Sequence, residues 1–230
     1  MSDSESVFFR PNFRPDSNLR LDPEEISHLK ALRIFNDKKI VIVKDGKGAS
    51  YLFEVPPSAK TGTILETEFK ENTSPPAVIA TAIPKGNRLE WLIQKGTELG
   101  ITEFIFLTFA HSDRKDLNAE RLLRVAGEAC AQAKREFLPE ILGPMSLLRY
   151  LESLKNPSEE VLLLDPEGLG KLDTNSIRSR TVLIGPEGGF REEEKELFRK
   201  YGVPGYKAGN SILRIETACL YAASLFRASL

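Results

Sequence analysis

Two cysteines and two histidines in 230 residues are too few for a zinc scaffold or a disulfide framework. Their scarcity fits a reducing compartment. No stretch approaches the ~18 consecutive apolar residues of a membrane-spanning helix. The segment MSDSESVFFRPNF has neither the basic start nor the apolar run of a secretory signal, so a cytoplasmic protein is the expectation. An excess of one charge is missing too: 32 Lys and Arg stand against 33 Asp and Glu. A strong, non-specific polyanion binder is therefore not expected, and any nucleic-acid contact must use a local patch. The phosphate-binding patterns G-x-x-x-x-G-K-[ST] and G-x-G-x-x-G are absent, as is the nucleophile pattern G-x-S-x-G. P-loop ATPase, Rossmann dehydrogenase and serine hydrolase readings lose support together. Gly46-Lys47-Gly48 and Gly168-Leu169-Gly170 are too short to count and read as turns.

What is present is the composition of a folded chain, with 41% hydrophobic and 28% charged residues. Two unequal parts are expected. Up to about residue 72, short strand-like runs alternate with turns. Asp22 and Pro23 are suited to cap and open a short helix. Lys39 to Val43 is β-branched and ends at Asp45-Gly46, and Tyr51 to Val55 stops at Pro56-Pro57. Close spacing of short strands predicts a small β-barrel over 1–72. Glu71-Asn72-Thr73-Ser74-Pro75-Pro76 reads as a linker. Over 73–230 the pattern becomes α/β. Ala77 to Ile83, Ile101 to Phe109, Val161 to Leu164 and Thr181 to Ile184 are nearly continuous apolar runs separated by helical segments. Strands of a parallel sheet covered on both faces look like this. Helices are expected at 89–99, at 118–134 and over 216–225, the last with Ala218, Tyr221, Ala222 and Leu225 in one stripe. Gly96 marks a close approach of another backbone or a small-residue packing spot.

Two turns carry more chemistry than the rest. In Gly185-Pro186-Glu187-Gly188-Gly189-Phe190 a buried strand ends, and a rigid proline is followed by two permissive glycines. Such a loop exposes main-chain donors and acceptors at the carboxyl edge of a sheet, where open α/β folds bind ligands. Adenine offers a donor beside an acceptor and suits main-chain groups, whereas Glu187 disfavours phosphate. The plainer reading is a strand-to-helix turn with Glu192, Glu193 and Glu194 at a helix start. In the second stretch, Lys207 to Ala218, Gly209-Asn210 is a turn, and Arg214 and Glu216 bracket a helix N-terminus; the bland alternative is a surface ion pair.

Together Gly185-Pro186-Glu187-Gly188-Gly189, Gly209 and Ile212-Leu213-Arg214-x-Glu216-Thr217-Ala218 resemble the SPOUT methyltransferases. Within them the chain is similar to the bacterial 16S ribosomal RNA uracil-N3 methyltransferase family. Lys85-Gly86-x-x-Leu89-Glu90-x-x-Ile93-Gln94-Lys95-x-x-Glu98-Leu99-Gly100 matches that family's first helix. Gln132, Arg135, Pro139 and Glu140-Ile141 match a glutamine–arginine segment, and His28-Leu29, Leu32-Arg33 and Asp45-Gly46 match its N-terminal module. There are departures. Ala131 and Lys134 stand where the family has Glu and Gly, Arg191 where a capping Ser or Thr is usual, and Asn36 where Gly is common. The resemblance implies a PUA-like RNA-binding barrel followed by a SPOUT domain with a parallel sheet and a deep trefoil knot, working as a homodimer. It implies S-adenosylmethionine held by Leu164, Gly185, Pro186, Glu187, Gly188, Gly189, Gly209, Ile212 and Leu213, with no metal. The implied reaction is methylation of N3 of one uridine in 16S ribosomal RNA, on an assembled small subunit.

That reaction needs the imide proton removed, the delocalised anion stabilised and an in-line methyl carbon presented. Arg214 is the expected electrostatic group, facing the uracil oxygens or a flanking phosphate. Glu216 and Glu187 are both candidates for the proton, and the sequence does not choose between them. Arg10, Arg33, Lys95, Arg114, Gln132 and Arg135 are the RNA-binding candidates; an ordinary solvated side chain is the alternative for each cation. His28 and His111 read as structural or surface groups, Cys130 and Cys219 as small core residues, and Trp91 as packing. Competing readings are a SPOUT enzyme acting on transfer RNA or another ribosomal position, a non-catalytic RNA-binding assembly factor, and an adenine-nucleotide-binding α/β protein.

Overall fold

The computed structural model describes residues 4–15, 18–110 and 116–229. Contacts divide the chain into two units. One comprises 1–73 with 127–138, the other 74–126 with 139–230.

The first unit is built on a five-stranded sheet. Its elements are β1 (Ser4–Phe9), β2 (Asn18–Arg20), α1 (Pro23–Ala31), β3 (Lys39–Lys44), β4 (Ala49–Val55) and β5 (Thr61–Phe69), in the order β1-β3-β4-β5-β2. β1 runs parallel to β3, and the other pairs are antiparallel. β3 alternates buried and half-buried residues, the period-2 signature of a sheet with one core face. Leu19, Leu21, Leu29, Val41, Val43, Phe53 and Val55 form that core. Asp22 caps α1 by accepting from the Glu25 N–H at 2.8 Å, and the Glu25 side chain returns the bond to the Asp22 N–H. This is the reciprocal box that the Asp-Pro start favours. Lys39 is fully buried, and its ammonium donates to the Phe35 and Asp37 carbonyls at 2.9 Å each. Burial lowers its pKa, against the opposing effect of Asp37. The left-handed residue of the turn after α1 is Arg33, at φ 61°; Asn36, placed where the family has glycine, is not among the residues with positive φ.

The second unit holds β6 (Val78–Ala82), α2 (Arg88–Leu99), β7 (Glu103–Thr108), α3 (Ala119–Gln132), β8 (Glu140–Ser146), α4 (Leu147–Ser153), α5 (Pro157–Glu160) and β9 (Val161–Leu164). It continues with β10 (Gly170–Lys171), β11 (Thr181–Ile184), α6 (Glu192–Lys200), β12 (Gly205–Lys207) and α7 (Ile215–Ala228). The last residues of α3 belong to the first unit. The sheet order is β10-β12-β9-β11-β6-β7-β8, and every pair is parallel. The α/β expectation with a parallel sheet holds. β9 is buried along its whole length, as a strand covered on both faces must be. Gly96 proves to be a packing spot: an added Cβ would sit 2.7 Å from the Phe104 ring. The buried stripe of α7 is Ala218, Cys219, Ala222, Ala223 and Phe226. It is turned from the expected one, leaving Tyr221 half-buried with its hydroxyl donating to the Leu172 carbonyl at 3.0 Å.

Candidate functional site

Parallel pairing gives β12, β9, β11 and β6 a common carboxyl edge. Four loops leave that edge side by side, over 83–87, 165–169, 185–191 and 208–214. Leu164 ends β9, buried. Gly185 to Gly189 follow β11, and Gly209, Ile212 and Leu213 follow β12. The sheet thus gathers every residue expected to hold the nucleoside.

Each loop has a local cause. After β11, the Gly189 N–H donates to the Pro186 carbonyl at 2.9 Å, and Gly189 adopts φ 72°, a conformation glycine takes without steric cost. Phe190 anchors the turn, with edge contacts to Phe109 at 5.6 Å and to Phe198 at 5.0 Å. Gly185 lies over the same ring, so an added Cβ would sit 2.5 Å from it. The missing Ser or Thr cap at Arg191 is offset by Glu194. That buried carboxylate accepts from the Arg191 N–H and from the Ala110 N–H, both at 2.8 Å. After β9, Gly168 approaches Tyr206 so closely that an added Cβ would lie 2.6 Å from its main-chain N and C. After β12, Gly209 is open, with nothing within 4 Å of an added Cβ, and Ile212 is 86% exposed.

The charged groups converge on Arg88, at the first turn of α2. Its guanidinium is hydrogen-bonded to the Glu187 carboxylate, and its Nε lies 3.7 Å from Glu216 Oε1. Arg88 was not among the expected site residues. It occupies an unassigned position of the Lys85-Gly86-x-x-Leu89 segment, 99 residues from Glu187, and no local pattern announces the contact. Glu216 is only 8% exposed, and its Oε2 has no hydrogen-bond partner among the described residues. It lies in the first turn of α7. Arg214 is the exposed N-cap residue of the same helix; its carbonyl accepts from the Ala218 N–H at 2.8 Å, and its side chain makes no ion pair among the described residues. Cys219, one turn along, is buried, and burial pushes its thiol up to about 12; nucleophilic cysteine chemistry is therefore disfavoured here. Among the described residues no group of His, Cys, Asp and Glu is arranged to hold a metal ion.

The RNA-binding candidates are placed less uniformly. Arg10 is engaged inside the first unit, its Nε donating to Glu25 Oε1 at 2.7 Å and its Nη2 to the Arg20 carbonyl at 3.0 Å. Arg33 is exposed and lines a hollow with Lys30, Phe35 and Asn36. Gln132 ends α3, exposed, and the Arg135 N–H donates to the Cys130 carbonyl at 2.9 Å. Lys134 holds a left-handed backbone at φ 54°. Lys95 is paired with Glu98 at 2.7 Å. Arg114 and His111 lie outside the described residues. His28 stacks edge-on against Phe8 at 5.6 Å.

Residues 71–227 match the RNA methyltransferase domain family. The chain is 31% identical, over 220 aligned residues, to ribosomal RNA small subunit methyltransferase E of Bacillus subtilis, covering 87% of this chain and 86% of that one. Its fold superposes on the crystal structure of a probable rRNA-methyltransferase from Porphyromonas gingivalis with a TM-score of 0.79 at 25% identity, covering 97% of each chain. A Neisseria gonorrhoeae ribosomal RNA small subunit methyltransferase E, crystallised bound to S-adenosyl methionine, gives 0.75 at 24% identity over 96% of each chain; at that identity the likeness speaks for the fold. With the family domain matched over most of its length, this chain belongs to the RNA methyltransferase family and is a relative of the ribosomal RNA small subunit methyltransferases E.

Proposed function

We propose that the chain methylates N3 of a uridine in 16S ribosomal RNA, using S-adenosylmethionine bound at the four-loop edge. The observation that carries this reading is the gathering of the Gly185–Gly189 turn, the open Gly209 and the Arg88–Glu187–Glu216 cluster on adjacent strand ends. The residues present fit the methyl donor. Main-chain groups of 185–189 suit an adenine edge, and Leu164, Ile212 and Leu213 offer apolar faces to its rings. An added Cβ at Gly189 or Gly209 would project into open space. When bound, that donor supplies an electrophilic methyl carbon on a sulfonium.

The chain's own groups do the rest. Arg214, exposed at the start of α7, is free to meet the uracil oxygens or a phosphate with its guanidinium fork. Donors aimed at developing charge contribute about 3 kcal/mol each. A carboxylate, Glu216 or Glu187, takes the N3 proton. Arg33, Lys95, Gln132 and Arg135 are assigned to RNA positioning, so affinity falls as salt rises. Arg10 contributes by holding α1 through Glu25.

The first unit is read as a PUA-like barrel and the second as a knotted SPOUT domain. The knot reading is supported by β12, which lies between β9 and β10 although those two follow each other in the chain. Residues 165–172 are stitched along β12 by the Asp165, Leu169 and Leu172 N–H groups. A homodimer in the cytoplasm is proposed on the family likeness.

The test incubates the protein and labelled S-adenosylmethionine with small subunits that lack the modification, then maps the methylated nucleotide. A single N3-methyluridine in 16S ribosomal RNA is expected. Methyl transfer only to transfer RNA, or none with intact cofactor binding, would replace the reading with another RNA methyltransferase or an assembly factor.

A further inference from the structure

We infer that Glu216, and not Glu187, accepts the N3 proton, and that Arg88 is the positioning residue that divides the two roles. The inference rests on the methyl-transfer reading and deepens it. Both carboxylates reach the same guanidinium, but on different terms. Glu187 is directly hydrogen-bonded to Arg88, with 39% of its side chain exposed. That charge-assisted bond, the strong kind, occupies the Glu187 carboxylate and ties it to Arg88. Glu216 meets Arg88 only at 3.7 Å, beyond hydrogen-bonding distance. It stays near the cation while Oε2 is buried with no hydrogen-bond partner among the described residues. A buried carboxylate oxygen without a partner is expensive to leave so, and a bound imide N–H is a group that would satisfy it.

The step balances. The N3–H bond breaks and its proton moves to Glu216 Oε2. The electron pair that N3 keeps forms the new bond to the methyl carbon as the carbon–sulfur bond breaks, and the bonding pair of that broken bond stays on sulfur as a neutral thioether. Among the described residues, the charged groups shown against Glu216 are Arg88 from α2 and, through it, Glu187 from the loop after β11. On its own helix the Cys219 thiol is held neutral, first by burial and then partly by the charge of Glu216 itself.

The experiment compares Glu216→Gln, Glu187→Gln and Arg88→Lys in the full chain. It measures single-turnover methylation of unmodified small subunits across pH and S-adenosylmethionine affinity by calorimetry. Glu216→Gln is expected to slow methyl transfer at least about 100-fold and to abolish the loss of rate on acidification that protonation of a carboxylate base produces. Its cofactor affinity should stay within about threefold, a change of less than 1 kcal/mol. Glu187→Gln and Arg88→Lys should slow transfer less and keep the acid-side loss. An acid-side loss that persists in Glu216→Gln, or that disappears in Glu187→Gln, overturns the inference. If Glu216→Gln fails to fold, Glu216→Asp decides: retention of the acid-side loss at reduced rate supports the assignment, and a flat profile overturns it. A wild-type chain that methylates no uracil N3 would instead sink the underlying reading, before any variant is compared.

Discussion

Single residues carry the charge arrangements that pH can report. Glu103, near the start of β7, lies in register with Glu140 of β8. Burial raises the pKa of Glu103, and the Glu140 charge adds to the effect. The folded state therefore holds this proton more tightly than the unfolded chain does. Stability from this site is present at low pH and is lost as pH rises from the unfolded value through the raised folded one. Glu103→Gln removes the ionisation without removing the shape. At about pH 7 it should raise the unfolding free energy read from urea titration by about 0.5 kcal/mol, the usual size of a cross-strand repulsion. The gain should vanish near about pH 4, where the wild-type carboxyl is already protonated. A gain that is the same at both values would mean that charge is not the cause. Lys134 shows a different economy at the same scale: a lysine holds a left-handed backbone at φ 54°, so the turn is imposed by its surroundings rather than by glycine's freedom.

Among elements, the pairing of β12 with the segment after β9 shapes the candidate site. Gly168 allows that pairing, because its missing side chain lets two backbones meet, and the Asp165 N–H reaches the Tyr206 carbonyl at 2.8 Å. Gly168→Ala would press a methyl group onto main-chain atoms that have no rotamer to escape into. It should cost about 1–3 kcal/mol of stability and weaken S-adenosylmethionine binding, since the loop after Leu164 must shift. Urea unfolding and calorimetry read the two effects, and an alanine variant normal in both would show that the segment is not held there. The sequence presented Gly168 only as part of a turn, because close approach between distant strands leaves no local pattern. The strands were legible in proportion to their burial. β6, β7, β9 and β11 stood out as apolar runs, being covered on both faces. β8 is an edge strand, largely exposed and interrupted by Gly143-Pro144, and β10 and β12 span two and three residues; none of these shows a period. The loops of the candidate site were legible because glycine and proline mark them, whereas Arg88 was not, because an ion pair across 99 residues is a property of the sheet order.

For the molecule as a whole, the first unit includes a segment that the chain delivers late. Gly127–Leu138 belongs with residues 1–73, and what it supplies there is specific. The Glu136 carboxylate receives the Lys44 ammonium at 2.5 Å and the Lys70 ammonium at 2.9 Å. Burial alone would raise its pKa, but the two lysines together prevail and hold it low. The Leu138 N–H donates to the Gly46 carbonyl at 3.0 Å, and its side chain fills the space where a Cβ on Gly46 would stand, 2.5 Å away. Gly127 lets Phe9 approach, with an added Cβ only 3.0 Å from the Phe9 Cβ. A domain of about 75 residues has little stability to spare from its own core. Residues 1–75 expressed alone would leave Lys44 and Gly46 without these partners. That fragment should show no cooperative urea transition and a poorly dispersed amide spectrum, while the full chain unfolds cooperatively. Cys130 lies in the late segment, buried, its thiol pushed up to about 11 by burial. It gives an independent reading in the full chain, because it should resist alkylation until the first unit opens. A fragment that folds cooperatively on its own would show that Gly127–Leu138 merely decorates a self-sufficient sheet.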